Sequence, residues 1–294
     1  MVTQTFSARL HQRRRLKRAM RSVAFYALVI LIMLPFMAVF LLMVMASFKN
    51  QLQNTAIPPM LFFQPTFANY SNVFFCPTCW FTGAGNIVPR LLSNSLVVAL
   101  GSTGLGLILG LPAAFGIARF KMQRLAIAVL IARMIPGITL LLPWFIVFSR
   151  LRLVGTYAGL ILAHLIVTLP LITWIMIGFF EDVPTEIEDA ALIDGCSLFD
   201  VFIRVALPLV RSGIACAAIL AFIFVWNTFM FALVLSRPET RTVPVGVMVF
   251  VNDVLIDWGR MTAVAVIVTL PVMLLALLVQ RYIVTGLTMG GVKG

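Results

Sequence analysis

Glu186 to Arg211 reads E-I-E-D-A-A-L-I-D-G-C-S-L-F-D-V-F-I-R-V-A-L-P-L-V-R, the longest amphipathic, charge-bearing stretch in an otherwise apolar chain. Seven of the ten acidic residues fall in it or just before it: Glu181, Asp182, Glu186, Glu188, Asp189, Asp194 and Asp200. Carboxylates gathered in one loop of an apolar chain keep that loop in water, where a partner can reach it. The stretch reads as helix, turn, helix. Pro184 suits a first-turn position, and Glu186, Glu188 and Asp189 sit where the N-terminal dipole favours anions. Ile187, Ala190 and Ala191 share a face at i, i+3, i+4 spacing. Gly195 supplies the left-handed residue that ends the first helix, and Ser197 with Asp200 resembles a capping box for the second. Phe199, Phe202, Ile203 and Ala206 repeat at i, i+3, i+4, i+7, and Pro208 ends the run. Periodicity alone is equally met by a hairpin lying on a membrane surface.

The surroundings place this loop at a bilayer. Apolar residues make up 62% of the 294, against about half in soluble domains, and the mean hydropathy is +1.07. The formal charge of +12 fits cytoplasmic basic loops and anionic headgroups rather than nucleic acid. Residues 1–22 form a basic arm without an acid. Apolar spans follow at Val23–Ala46, Leu91–Ala118, Leu125–Ser149, Tyr157–Phe180, Ile214–Leu235 and Met261–Val284. The first is too long for a signal-peptide core and ends in no small-residue cleavage site, so it is expected to stay as a helix kinked at Pro35. Gly101, Gly104, Gly106 and Gly110 in the second predict close packing against a neighbour. Pro136, Gly137 and Pro143 predict that the third is broken or bent. Residues 47–90 and 236–260 read as external loops.

Fourteen basic residues fall on the side of the termini and the acidic loop, seven on the other, and Arg133 lies within a span. Both termini and the acidic loop are therefore expected in the cytoplasm. The expected fold class is an all-α membrane protein of six transmembrane helices. A cytoplasmic helix-turn-helix, residues 181–212, lies between spans four and five. The expected domains are the arm 1–22, a permease domain 23–284 and a tail 285–294.

The pattern D-A-A-x-x-x-G followed by I-x-x-x-L-P (Asp189, Ala190, Ala191, Gly195, then Leu207 and Pro208) resembles the E-A-A-x-x-x-G loop of permease subunits in bacterial ABC importers. Asp189 stands where that family usually carries Glu, one methylene shorter. The six spans, the basic N-terminus and the terminal G-L-T-M-G-G-V-K-G are similar to the shorter permease of the maltose-type, carbohydrate-uptake branch. The resemblance implies an inner-membrane subunit that transmits motion and forms half of a translocation path, without catalysis of its own. It implies that Glu188, Asp189, Ala190, Ala191, Asp194, Gly195, Leu207 and Pro208 couple to a dimeric ATPase. It also implies that the tail residues Gly290, Gly291 and Lys293 reach toward that ATPase. The implied partners are a second permease subunit, the ATPase, an extracytoplasmic solute-binding protein and the bilayer. ATP and Mg belong to the ATPase, with no cofactor or metal on this chain.

Within the spans, Arg133 either lines the path or pairs with a backbone carbonyl at the broken helix. Trp226, Asn227 and Thr228 put an aromatic face beside two polar groups, the chemistry a sugar ring needs; Trp144 and Trp174 serve equally as interfacial anchors. His164 reads as a packing residue. Cys76 and Cys79 face an oxidising compartment where the host has one, and read as a loop disulfide. Cargo other than sugar is the neighbouring alternative. An ion-coupled secondary transporter needs carboxylates within spans and repeated halves, and this sequence shows neither. An ATP-driven role needs a separate ATPase, because G-x-x-x-x-G-K-[ST] is missing.

Overall fold

The apolar runs form helices with few exceptions. The computed structural model describes the backbone of residues 2–75, 87–251 and 256–289, and side chains over 20–75, 88–251 and 256–280. Cys76 and Cys79, together with Gly290, Gly291 and Lys293, lie outside them. Helix α1 (Val2–Ser47) runs unbroken through the basic arm and the first span, carrying Pro35 within it. Two short helices follow, α2 (Gln51–Asn54) and α3 (Ala68–Phe75), then α4 (Ile87–Arg119). The third span is α5 (Gln123–Met134), a 3-10 turn (Gly137–Leu140) and α6 (Leu141–Arg150), with 85° between its two halves. Pro136 and Gly137 sit at that break, as expected of residues that cannot continue a helix.

Helix α7 (Tyr157–Glu181) leads into the hairpin: α8 (Thr185–Ile193), α9 (Leu198–Asp200), a π-helical stretch (Val201–Ala206) and α10 (Leu207–Leu209). Then come α11 (Arg211–Asn227), α12 (Met230–Leu235), α13 (Val243–Gly246) and α14 (Trp258–Met289). Among the described residues, four helices are long and apolar enough to cross a membrane, or up to six where each of two bent pairs counts as one span. The protein is a multi-pass, all-helical membrane protein. The fifth span differs from the expected single run over 214–235, because it starts at Arg211 and is interrupted at Thr228 and Phe229.

Helices α4 and α7 form the centre. A Cβ on Gly101 would meet Ile161 Cδ1 at 2.6 Å, and one on Gly106 would meet Ile172 Cδ1 at 2.8 Å; Gly110 is similarly tight against Ile172. These glycines set the helix separation as expected, while Gly104 faces open space. One buried cluster at the hairpin end joins Phe115, Ile172, Met176, Phe180, Val201, Phe202 and Ala217. A second, deeper cluster joins Phe148, Leu160, Phe222, Trp226 and Phe231.

The described parts of the segment read as an external loop, 236–251 and 256–260, pack onto the bundle. Asn94 Nδ2 donates to the carbonyls of Glu239 and Arg241, and the Val243 amide donates to Ser95 Oγ at 2.8 Å. Val243 and Phe250 are buried with Leu91, Ala263 and Val264. Polar side chains on α4 thus satisfy loop backbone that would otherwise need water.

Candidate functional site

The hairpin is built from local signals. Helix α8 starts after Pro184, which is its N-cap rather than its first turn, and Glu186 and Glu188 occupy that turn. It ends at Gly195, whose φ is +89°. The Gly195 amide donates to Leu192 O and the Cys196 amide to Ala191 O, 3.0 Å each. That pair of bonds is a Schellman motif, which needs the left-handed residue that glycine supplies cheaply. Ser197 then caps α9, accepting from the Asp200 amide at 3.1 Å and donating to Asp200 Oδ2 at 2.5 Å. The expected reciprocal box is therefore closed through the hydroxyl. That donated bond, with Arg204 adding attraction at 3.3 Å against some desolvation, holds the Asp200 carboxyl below its ordinary value.

The two faces of the hairpin differ. Glu188, expected to contact a partner, points inward instead. Its side chain is 6% exposed, and Arg119 at the end of α4 donates to both carboxylate oxygens, Nε to Oε2 at 2.5 Å. Arg119 also lies over the Phe115 ring. Phe202, on the π-helical stretch, packs against Phe115 and Phe180, with centroids 5.1 and 6.4 Å away. Ala191 and Cys196 rest on the same cluster. The outer face carries Ile187, Asp189, Ala190, Asp194, Gly195 and Phe199, all exposed, with Ile193 at 86%. The predicted Ile187–Ala190–Ala191 face is thus split, with Ala190 outward and Ala191 inward. Leu207 is half-buried and Pro208 exposed.

Between the two broken spans lies a cavity of about 1250 Å³, lined by residues of α5, α6, α7, α11 and α12. Arg133, Asn227 and Thr228 all line it, so the structure brings together three of the four predicted path residues. Trp226 is a correction. It is 2% exposed, stacks on Phe222, and its Nε1 donates to Val268 O at 3.2 Å. One residue along a helix is a rotation of about 100°, and that turns Trp226 toward α14 while Asn227 faces the cavity. Trp144 supplies an aromatic wall instead, beside Phe224, Phe229 and Phe231. His164 is buried against Phe231 and bonded to Leu160 O, as a packing residue should be. Sequence reasoning missed Arg119 as a site residue. The available signal was a cation closing span two on the same side as the acidic loop.

A multi-pass helical protein with a hairpin presented at one end and a cavity between broken spans is built as a membrane permease. The family model for the binding-protein-dependent transport system inner membrane component matches residues 106–288. Among relatives, the trehalose transport system permease protein SugB of Mycobacterium tuberculosis is 36% identical over 78% of this chain and 82% of its own. The trehalose/maltose transport system permease protein MalG of Thermococcus litoralis is 33% identical over 95% and 98%. The sulfoquinovosyl glycerol transport system permease protein SmoH of Agrobacterium fabrum is 35% identical over 84% and 86%. A chain of a bacterial ABC transporter involved in alginate import shares the fold, with a TM-score of 0.71 at 17% identity over 91% of this chain and 96% of that one. The chain belongs to the family of inner membrane components of binding-protein-dependent transport systems.

Proposed function

We propose that this chain is the permease subunit of an ATP-driven ABC importer and supplies half of the translocation path for a sugar or related carbohydrate. The observation that carries the reading is the two-faced hairpin. Its inner face is fixed to α4 and α7 by Arg119–Glu188 and by Phe202, while its outer face presents Ile187, Ala190, Ile193 and Phe199 to solvent. A groove on a dimeric ATPase covers such a face by the helix-in-groove mode. Ala190 allows close approach, and Asp189 and Asp194 offer charge at the rim. When ATP draws the grooves together, the hairpin moves as a lever, and the permease halves rock between their two orientations.

The second permease subunit closes the open side of the cavity. A solute-binding protein docks on the opposite side, over the segments at 47–90 and 236–260. ATP and Mg are held by the ATPase subunit, and the tail residues Gly290, Gly291 and Lys293 extend toward it. Charge asymmetry supports placing both termini and the hairpin in the cytoplasm. The carbohydrate assignment draws support from the relatives named for trehalose, maltose and sulfoquinovosyl glycerol.

Ile193→Glu tests the lever. The side chain is 86% exposed, so the permease pair still assembles. A buried interface anchor is worth about 2 kcal/mol or more, so ATPase association is expected to fall about 30-fold, and stimulation of ATP hydrolysis by loaded binding protein is lost in nanodiscs. Undiminished co-purification and stimulation in this variant overturn the coupling reading.

A further inference from the structure

The cavity carries one formal charge, and none of the described residues neutralises it. Its only ionisable lining residue among those described is Arg133, next to the break in the third span. None of the described residues pairs with that guanidinium, and no Asp or Glu lines the space. Arg133 is the eleventh residue of α5, so it stands up to about 15 Å along the helix from its start, inside the apolar run read as the third span. An ionised side chain is expensive there unless it meets water, a carboxylate or a ligand.

The remaining polar groups have a definite bonding capacity. Thr228 Oγ1 donates its proton to Phe224 O at 2.8 Å, so toward the cavity it can only accept. Asn227 Nδ2 donates one hydrogen to Ile223 O at 2.8 Å, which leaves Oδ1 open as an acceptor beside one remaining N–H donor. The cavity therefore offers a cationic fork of donors from α5 and two acceptors from the end of α11. Trp144 and Phe231 add aromatic wall to the same space. A neutral sugar satisfies the acceptors with its hydroxyls and leaves the guanidinium without an anion. A sugar bearing a carboxylate or sulfonate satisfies all three.

We infer that the cargo of this subunit is an anionic hydroxylated solute, an acidic sugar or glycoside, whose negative group is bound by Arg133 and whose hydroxyls donate to Asn227 and Thr228. The inference rests on the importer reading and specifies its substrate class.

The test uses the complete importer in nanodiscs with matched probes: methyl glucuronide, methyl glucoside and a methyl glycoside sulfonated at C6. Binding is read as the part of the tryptophan fluorescence change that Trp144→Phe removes. Coupling is read as ATP hydrolysis stimulated by candidate binding proteins loaded with each probe. One or both acidic probes are expected to bind more tightly than the glucoside, and the stronger of the two identifies the anionic group. Arg133→Gln is expected to weaken that probe about 10- to 100-fold, the range for a lost charge-assisted bond. Arg133→Lys keeps part of the affinity, and glucoside binding falls by a smaller factor than binding of the acidic probe.

Equal binding of the neutral and acidic probes overturns the inference, as does an Arg133→Gln variant that weakens all probes alike. The latter marks Arg133 as a cation paired across the permease dimer. If the neutral glucoside alone drives ATP hydrolysis, the importer reading stands and the anionic cargo falls. If an acidic probe binds through Arg133 but no loaded binding protein stimulates hydrolysis, the cargo assignment stands and the coupling reading falls.

Discussion

The hairpin at 185–209 and the cavity between the broken spans are both made by interrupting helices, yet the two interruptions are finished differently. At the hairpin each interruption is closed within the chain: Gly195 completes a Schellman motif, Ser197 caps the next helix, and Arg119 neutralises Glu188. At the cavity the interruptions at Pro136 and Thr228 leave capacity open, in Arg133 above all and in the acceptors of Asn227 and Thr228. Internal satisfaction makes a part that moves as a unit, because no bond has to be found elsewhere when it shifts. Open capacity makes a place for something else to bind.

The largest break in this comparison comes from Glu188→Ala, which leaves the half-buried Arg119 without its counter-charge. Removing one partner of a buried pair costs about 3–5 kcal/mol, so the melting temperature of the purified permease is expected to fall sharply. The double exchange Arg119→Glu with Glu188→Arg is expected to recover part of it. A melting temperature unchanged in Glu188→Ala means the hairpin is not braced at this point.

Trp226 and Asn227 sharpen the contrast at single-residue resolution. Trp226→Phe removes the bond to Val268 and some packing volume, for about 1–3 kcal/mol, with cargo affinity retained. Asn227→Ala is expected to reverse the pattern, with stability held within about 0.5 kcal/mol and affinity reduced. Chemical unfolding and the fluorescence assay on the same two preparations distinguish packing from path.

The smallest effect belongs to Ser197→Ala, about 1 kcal/mol for a lost N-cap, and it carries a pH signature. The Asp200 carboxyl is held below its ordinary value of 3.8, first by the Ser197 hydroxyl and then by Arg204. A depressed carboxylate contributes stability that is complete well above the unfolded value and is lost as pH falls through the folded one. Acid unfolding of the wild type is therefore expected to include a component below pH 3.8 that Ser197→Ala diminishes. Identical acid profiles in the two proteins sink this assignment.

Features set by one residue's backbone or by a run's composition were legible in the sequence. Gly195 was legible because its turn needs a positive φ, the break at Pro136 because proline removes a donor, and the spans because lipid demands apolar length. The site's handedness was not. Ala190 and Ala191 are the same residue type, and only the position of α4 decides that one faces out and the other in. The inward turn of Glu188 depends on Arg119, 69 positions earlier. Trp226 and Asn227 were read as one polar-aromatic group because adjacency in sequence hides a rotation of a quarter turn and more. The packing of Glu239, Arg241 and Val243 onto the bundle was hidden because their partners, Asn94 and Ser95, sit on a distant helix.

The π-helical stretch over Val201–Ala206 makes this part of the chain a matter of counting. A π turn holds one residue more than an α turn, so the extra residue is taken up within the stretch and the helix beyond it keeps its direction. Deleting that residue would close the stretch into a smooth α-helix with Pro208 and the entry to α11 near their seats, whereas one further residue with no wider turn to hold it would swing everything beyond by about 100°. A deletion can be absorbed here; a further insertion cannot.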